Sequence, residues 1–232
     1  MTVPNHIAFI PDGNRRWAKK NLFEAIRGHE KGADILMDVV KAGKDAGVKV
    51  MTFYLFSTEN WNRPKREIDK LMHLLERYLI TKRQEMVENG VKLHSIGDLS
   101  PFPKSVLTEL AKTKEATEAC KQVDLVFALN YGGRDEIRRA VQKIVDAISE
   151  NKLNRESISE EVIAKYMDTC RWKDPDLLIR TSGEMRISNF LLWQLSYTEV
   201  HVTQVLWPDF GPKDLSLAIA EYQKRDRRLG GG

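Results

Sequence analysis

The sequence is poor in the residues that build metal centres and disulfide frameworks. Its 232 residues include two cysteines, Cys120 and Cys170, with no C-x-x-C spacing. They read as reduced side chains of a cytosolic protein. The five histidines (His6, His29, His73, His94 and His201) form no His-Glu-x-x-His arrangement, which leaves a zinc site without ligands. No apolar run approaches the roughly 18 uncharged residues that a membrane span requires. The opening Met1 to His6 also lacks a basic segment followed by an apolar stretch. Contact with a membrane is therefore expected to be peripheral. The net charge of +4 is too small and too evenly spread for nucleic-acid binding, which calls for a concentrated basic stripe. There is no internal repeat, low-complexity linker or composition shift. With 42% apolar residues the chain can bury one sizeable core, so residues 1–232 are read as a single domain whose last residues, 229–232, are flexible.

Six short runs have the character of buried strands: residues 6–10, 48–56, 91–96, 123–130, 176–180 and 199–203. Apolar residues at helical spacing separate most of them: Ala33, Leu36, Met37 and Val40; Ile68, Leu71, Met72, Leu75 and Leu79; Ile137, Ala140, Val141, Ile144 and Ile148; Leu215, Ala218, Ile219 and Tyr222. This alternation predicts an α/β fold with a mostly parallel sheet covered on both faces. Ligands of such sheets bind beyond the carboxyl ends of the strands, where the polar motifs of this sequence fall.

The most informative motif is Arg180 to Asn189, which follows the apolar run Leu177-Leu178-Ile179 and combines Arg180, Arg186, Ser182 and Ser188 with Gly183. Two guanidinium forks, two hydroxyls and a flexible backbone suit an oxyanion. The turn Pro11-Asp12-Gly13-Asn14-Arg15-Arg16-Trp17 repeats the pattern after the first strand, which implies two phosphorylated substrates. Asp12 is either a helix cap or a metal ligand, since a carboxylate facing a diphosphate repels it unless Mg²⁺ lies between them. His29 is either a surface histidine or a phosphate ligand and leaving-group acid. After the second strand, Ser57-Thr58-Glu59-Asn60-Trp61-Asn62-Arg63 offers hydrogen-bonding groups and an interior tryptophan that either stacks over an apolar substrate or plugs the core. Phe190 to Trp193 and the Leu/Met stripe at 71–86 read as core packing.

These motifs, taken in order, resemble the cis-prenyltransferase family. The likeness runs through His6 to Lys20, Gly28-His29, Phe56 to Pro64, Asn130-Tyr131-Gly132-Gly133-Arg134, Asp176 to Gln194, Tyr197 to Glu199, Leu206 to Phe210 and Arg227 to Gly230. The resemblance implies a homodimer with a three-layer architecture, a six-stranded sheet and an apolar tunnel. It also implies a Mg²⁺-dependent condensation of isopentenyl diphosphate onto an allylic diphosphate, usually farnesyl diphosphate. The product would be a polyprenyl diphosphate such as undecaprenyl diphosphate, a lipid-carrier precursor for cell-wall synthesis, or a shorter cis-prenyl chain; a non-catalytic supporting subunit of the same fold is the alternative.

Carried over residue by residue, the resemblance gives Asp12 the metal and the allylic diphosphate, with Gly13, Asn14, Arg15, Arg16, Trp17 and His29 around that head group. Ser57, Thr58, Glu59, Trp61 and Arg63 would position the reacting groups. Arg180, Arg186 and Ser188 would hold isopentenyl diphosphate, Glu199 would assist the metal, and Arg228 would reach a diphosphate across the dimer. The proton acceptor is either Asn60, through a relay, or the diphosphate itself. Ala25 stands where the family usually has arginine, Met185 where a polar residue is common, and Leu55 where long-chain enzymes often have alanine, so Leu55 is expected to shorten the product. No adjacent aspartate pair of the kind used by trans-type prenyl synthases occurs.

Overall fold

The computed structural model describes residues 2–225, so Arg228 and residues 229–232 lie outside the described part of the chain. Each predicted run forms a strand: β1 (His6–Ile10), β2 (Val50–Ser57), β3 (Val91–Ile96), β4 (Val123–Tyr131), β5 (Leu177–Arg180) and β6 (Glu199–Val202). They pair in the order β3-β4-β2-β1-β5-β6, and every pairing among the described residues is parallel. All five residues of the central strand β1 are buried, the signature of a strand covered on both faces.

Among the described residues seven α-helices accompany the sheet: α1 (Asn14–Lys20), α2 (Ala25–Asp45), α3 (Lys65–Glu88), α4 (Lys104–Ala116), α5 (Gly133–Ser149), α6 (Glu160–Tyr166) and α7 (Pro212–Lys224). The larger core joins alternate strand residues such as Phe9, Phe53 and Phe127 to Leu36 and Val40 of α2, Leu79 of α3, Leu110 of α4 and Ala218 of α7. The opposite face is closed by Phe190, Leu191 and Trp172 over Ala8, Val126, Ala128 and Leu178.

Two predicted stripes differ from the structure. On α5, Val141 and Val145 are 52% and 54% exposed, while Glu136 is buried among Ala140, Ile144 and Ala147. Glu136 tolerates burial because its carboxylate accepts from Tyr131, from Gln194 Nε2 at 2.9 Å and from the Asp168 backbone at 2.9 Å. Burial nevertheless pushes its carboxyl above the usual range. On α3, Leu79, Met86 and Met72 enter the core as expected, whereas Leu71 and Leu75, only partly buried against that core, also line a cavity.

The sheet is irregular at the end where the polar motifs gather. Tyr54 lies opposite Ala128 and Phe56 opposite Leu129, which leaves Leu55 as an extra residue on β2. One step later β4 skips Asn130, whose φ is 45°. Bulges of this kind re-aim side chains beside ligand sites, and Leu55 is turned into the cavity.

Candidate active site

The segments following β1, β2 and β5 converge at the carboxyl end of the sheet. After β1 the chain turns at Gly13, where φ is 107° and a Cβ would come within 2.9 Å of Leu206. That left-handed turn brings the Gly13 N–H onto Asp12 Oδ1 at 2.7 Å. Asp12 Oδ2 accepts from the Arg180 guanidinium at 2.8 Å, with Arg16 4.0 Å away. Burial disfavours the charged form of Asp12, but the Arg180 and Gly13 hydrogen bonds and the two cations outweigh it and hold the carboxyl below its usual range.

Arg180 is 4% exposed and acts as a hub. Besides Asp12 it donates to Ser188 Oγ at 2.8 Å and to the Arg186 carbonyl. Arg16 donates to Ser182 Oγ and pairs with Glu184 at 3.3 Å. Three buried polar atoms in this region, Asn14 Oδ1, His29 Nε2 and Arg180 Nε, have no hydrogen-bond partner among the described residues. Buried polar atoms are normally paired, and these three belong to residues that line one cavity, a setting that suits a polar ligand.

These groups stand at the head of a cavity of about 730 Å³. Asp12, Gly13, Asn14, Arg15, Arg16, His29, Arg180 and Ser188 line it together with Ser57, Glu59, Asn60 and Arg63. Farther along the strands its wall is apolar, with Leu36, Leu55, Leu71, Leu75, Phe127 and Leu129. The arrangement suits a molecule with an anionic head and a hydrocarbon tail.

Several expected site residues lie elsewhere. Trp61 donates its indole N–H to Asn130 Oδ1 at 2.8 Å and packs on Phe56 and Phe102, so it plugs the core and is absent from the cavity wall. Trp17 packs against Phe23 and donates to Asp209, outside the cavity. Thr58 and the Arg186 side chain are also off the wall, and the Arg186 guanidinium pairs with Glu184. Glu199 begins β6 level with Leu177, whereas Asp12 follows the end of β1, so the two carboxylates sit at opposite ends of a parallel sheet. Glu199 is instead bound to Arg225 at 2.8 Å, and it shares no ion with Asp12 within one chain.

Among the described residues no group of three or more metal-ligating side chains assembles. Magnesium needs few: one or two carboxylates, with substrate phosphates and water completing its shell. Asp12, charged and facing the cavity, fits such an ion. When bound, magnesium would neutralise charge on a diphosphate.

The Asn60 carbonyl accepts from the Ser57 N–H at 3.1 Å, which fixes the amide's orientation and leaves its NH₂ as a donor. His29 is held neutral: burial first, then the Arg63 charge, lowers its pKa to about 4. A neutral ring can donate one N–H to an oxyanion but carries no spare proton as an acid. His6, bonded to Thr52 and the Lys173 carbonyl, is likewise lowered to about 4, chiefly by burial.

Both histidines take up a proton at about pH 6.5 when unfolded but only near pH 4 when folded. Stability is therefore expected to be full above pH 6.5 and to fall as pH drops toward 4, at a slope nearing two protons, about 2.7 kcal/mol per pH unit. Urea unfolding of the free protein at intervals from pH 7.5 to 4.5 measures that slope; a flat profile would contradict neutral burial.

Two contributors escaped the sequence reading. Tyr54 lines the cavity, donates to the Tyr131 carbonyl at 3.1 Å and stacks on Phe190. Asn189 joins three segments around the anion pocket. Tyr54 gave no signal beyond strand character, whereas Asn189 stood within the Arg180 motif as a polar residue before an apolar run.

Fold and site together define a parallel α/β protein with cationic and hydrogen-bonding groups at the head of a largely apolar cavity. Residues 10–230 match the family model described as "Putative undecaprenyl diphosphate synthase". The isoprenyl transferase of Chlamydia pneumoniae is 47% identical over 98% of this chain and 93% of its own length. That of Bacillus subtilis (strain 168) is 46% identical over 99% and 88%. Among solved structures, lavandulyl diphosphate synthase from Lavandula x intermedia, in complex with dimethylallyl diphosphate, superposes with a TM-score of 0.96 at 35% identity, covering 99% of each chain. A "probable undecaprenyl diphosphate synthase" from Campylobacter jejuni gives 0.83 at 32% identity, covering 100% of each. The chain belongs to the undecaprenyl diphosphate synthase family, and it is a prenyl transferase.

Proposed function

We propose that this enzyme is a magnesium-dependent cis-prenyltransferase that condenses isopentenyl diphosphate onto an allylic diphosphate, with farnesyl diphosphate as a starter. The reading is carried by one observation: the Asp12, Arg180 and Ser188 constellation opens into an apolar cavity. The bond between the allylic C1 and its diphosphate oxygen breaks, the isopentenyl double bond attacks C1, and a proton leaves the adjacent carbon to restore a double bond. Fixed donors on the departing diphosphate favour the first event, and holding the two substrates in line favours the second. With the Asn60 carbonyl engaged by Ser57, the departing diphosphate is the better proton acceptor. A chain with Asp12, Asn14 and Arg180 all in place is an improbable non-catalytic subunit, and activity of the isolated protein would dismiss that alternative.

The dimensions favour the shorter-chain reading. Benzene fills an apolar cavity of about 150 Å³, or roughly 25 Å³ per carbon. At that packing the cavity of about 730 Å³ accommodates about twenty carbons with one diphosphate, far short of fifty-five. Leu55, Phe127 and Leu129 supply bulk to its wall. Support for pairing into a homodimer comes from exposed Val141 and Val145 on one face of α5. No described helix is long and apolar enough to cross a membrane; a prenyl product would bring the enzyme into peripheral contact with lipid.

The test is incorporation of radiolabelled isopentenyl diphosphate with farnesyl diphosphate and Mg²⁺, products being resolved by length. Absence of any extended lipid overturns the proposed reaction, and a main product of fifty or more carbons overturns the short-chain reading. In the same assay Leu55→Ala is expected to shift the product distribution toward longer chains, because it removes about three carbons' volume, roughly 75 Å³, a little over half of what a five-carbon unit fills, from the wall. An unchanged distribution would show that Leu55 does not limit length.

A further inference from the structure

We infer that Asn189 is a positioning residue for the second diphosphate, acting as a clasp between the three loops that build its pocket. The inference rests on the prenyl-transfer reading and concerns how the Arg180 and Ser188 side chains are kept in register.

Asn189 occupies the left-handed region with φ 62°, next to Ser188 at φ 50°. Asparagine tolerates that conformation better than most residues, but it still costs free energy that the surroundings must offset. The surroundings here are specific. The Asn189 carbonyl accepts from the Gly133 N–H at 2.6 Å, and its Oδ1 accepts from the Arg134 N–H at 3.0 Å. These are the first two N–H groups of α5, which have no partner within their own helix. The residue preceding the helix is Gly132, which has no side chain with which to cap it. Asn189, fifty-five positions away in sequence, therefore supplies the cap.

The paired glycines have a matching role. A Cβ on Gly132 would come within 2.7 Å of Asn189 Nδ2, and one on Gly133 within 2.6 Å of Leu192. The Tyr131-Gly132-Gly133-Arg134 motif is thus the socket that admits the Asn189 segment. The third contact leads to the other half of the site: Asn189 Nδ2 donates to Glu59 Oε1 at 3.0 Å. Glu59 belongs to the loop that carries Ser57 and Asn60. The clasp therefore holds the Ser188 hydroxyl where Arg180 reaches it at 2.8 Å, and ties that arrangement to the loop facing the reacting carbons. Asn189 lines the cavity and acts on the second diphosphate through Ser188 and Arg180, whereas Asp12, Asn14 and His29 are carried by the turn after β1, by α1 and by α2, and meet the clasped segment through the Arg180–Asp12 bond.

The experiment measures steady-state kinetics with each substrate varied in turn, alongside thermal unfolding. Asn189→Ala is expected to raise KM for isopentenyl diphosphate about tenfold, the effect of losing one or two hydrogen bonds, while KM for the allylic diphosphate stays within threefold. Asn189→Asp keeps an acceptor for Arg134 but sets a carboxylate against Glu59, and it should show the same split. Adding Glu59→Gln restores the bond with reversed polarity and should lower KM for isopentenyl diphosphate below that of Asn189→Asp alone. Equal rises in both KM values, an Asn189→Ala enzyme with the parental KM, or failure of the double substitution to improve on Asn189→Asp would each overturn the clasp. If the alanine variant does not fold, the Asn189→Asp pair decides. A parent without activity would sink the prenyl-transfer reading, whereas an active parent with indifferent variants would sink only the clasp.

Discussion

Asp12→Ala is expected to lower turnover about a thousandfold while leaving a folded, less stable protein. Its carboxylate is the charged oxygen ligand that faces the cavity beside the Gly13 turn and the Arg180 fork. Removal takes away the group that fits magnesium and leaves a buried guanidinium with only Ser188 and the Arg186 carbonyl as partners. Losing the partly exposed carboxylate of this hydrogen-bonded charge pair costs about 1–3 kcal/mol, which lowers Tm by roughly 5 °C in a chain of this length. The loss of stability is not legible in the sequence, because the partner of Asp12 lies 168 positions away. Asp12→Asn separates the two effects: its oxygen can still accept from Gly13, so most stability returns while turnover does not. An alanine variant within a few-fold of the parental rate would remove Asp12 from the chemistry.

What the sequence disclosed was set by the range of the interactions involved. Buried parallel strands are nearly continuous apolar runs bounded by polar turns, so all six were legible, with ends displaced by a residue or two. The rule that ligands sit at the carboxyl ends of strands then located the site, because Asp12 closely follows β1 while Ser57 and Arg180 end β2 and β5. Periodicity failed where a polar network or a cavity replaced packing. Glu136 is paired by Tyr131 five residues before it and by two donors from distant segments, and Leu71 and Leu75 look like core residues but line the cavity.

Trp61 and Glu199 illustrate two other limits. An indole beside a polar loop has the same composition whether it faces substrate or core, and its bond to Asn130 decides the matter. Glu199 follows a conspicuous motif, yet the chain between Asn189 and Glu199 runs back to the amino end of the sheet before β6 begins. Proximity in sequence to Arg180 therefore does not mean proximity in space. Asn189 is the converse case, as its importance arises from glycines that are remote in sequence and have no side chains to advertise a contact.

Arg180→Lys should be the more damaging of the conservative changes to the second anion pocket, lowering kcat/KM for isopentenyl diphosphate a hundredfold or more. One guanidinium spans Asp12 at 2.8 Å, Ser188 at 2.8 Å and the Arg186 carbonyl while its Nε has no partner among the described residues. An ammonium is a point charge whose three donors cannot keep that planar fan and also present a further N–H to an oxyanion. Because Arg180 is almost wholly buried, water does not make good the missing contacts. Arg180→Leu goes further and exposes the balance that sets the charge of Asp12. Burial alone favours the protonated carboxyl, and the Arg180 hydrogen bond and charge are the chief forces opposing it. Without them the Asp12 pKa must rise, so the acidic limb of the kcat/KM profile should move to higher pH in the leucine variant and by less in the lysine variant, which keeps a positive charge. An acidic limb unmoved in both variants, or a lysine enzyme with the parental KM for isopentenyl diphosphate, would show that Arg180 neither sets the state of Asp12 nor grips the substrate.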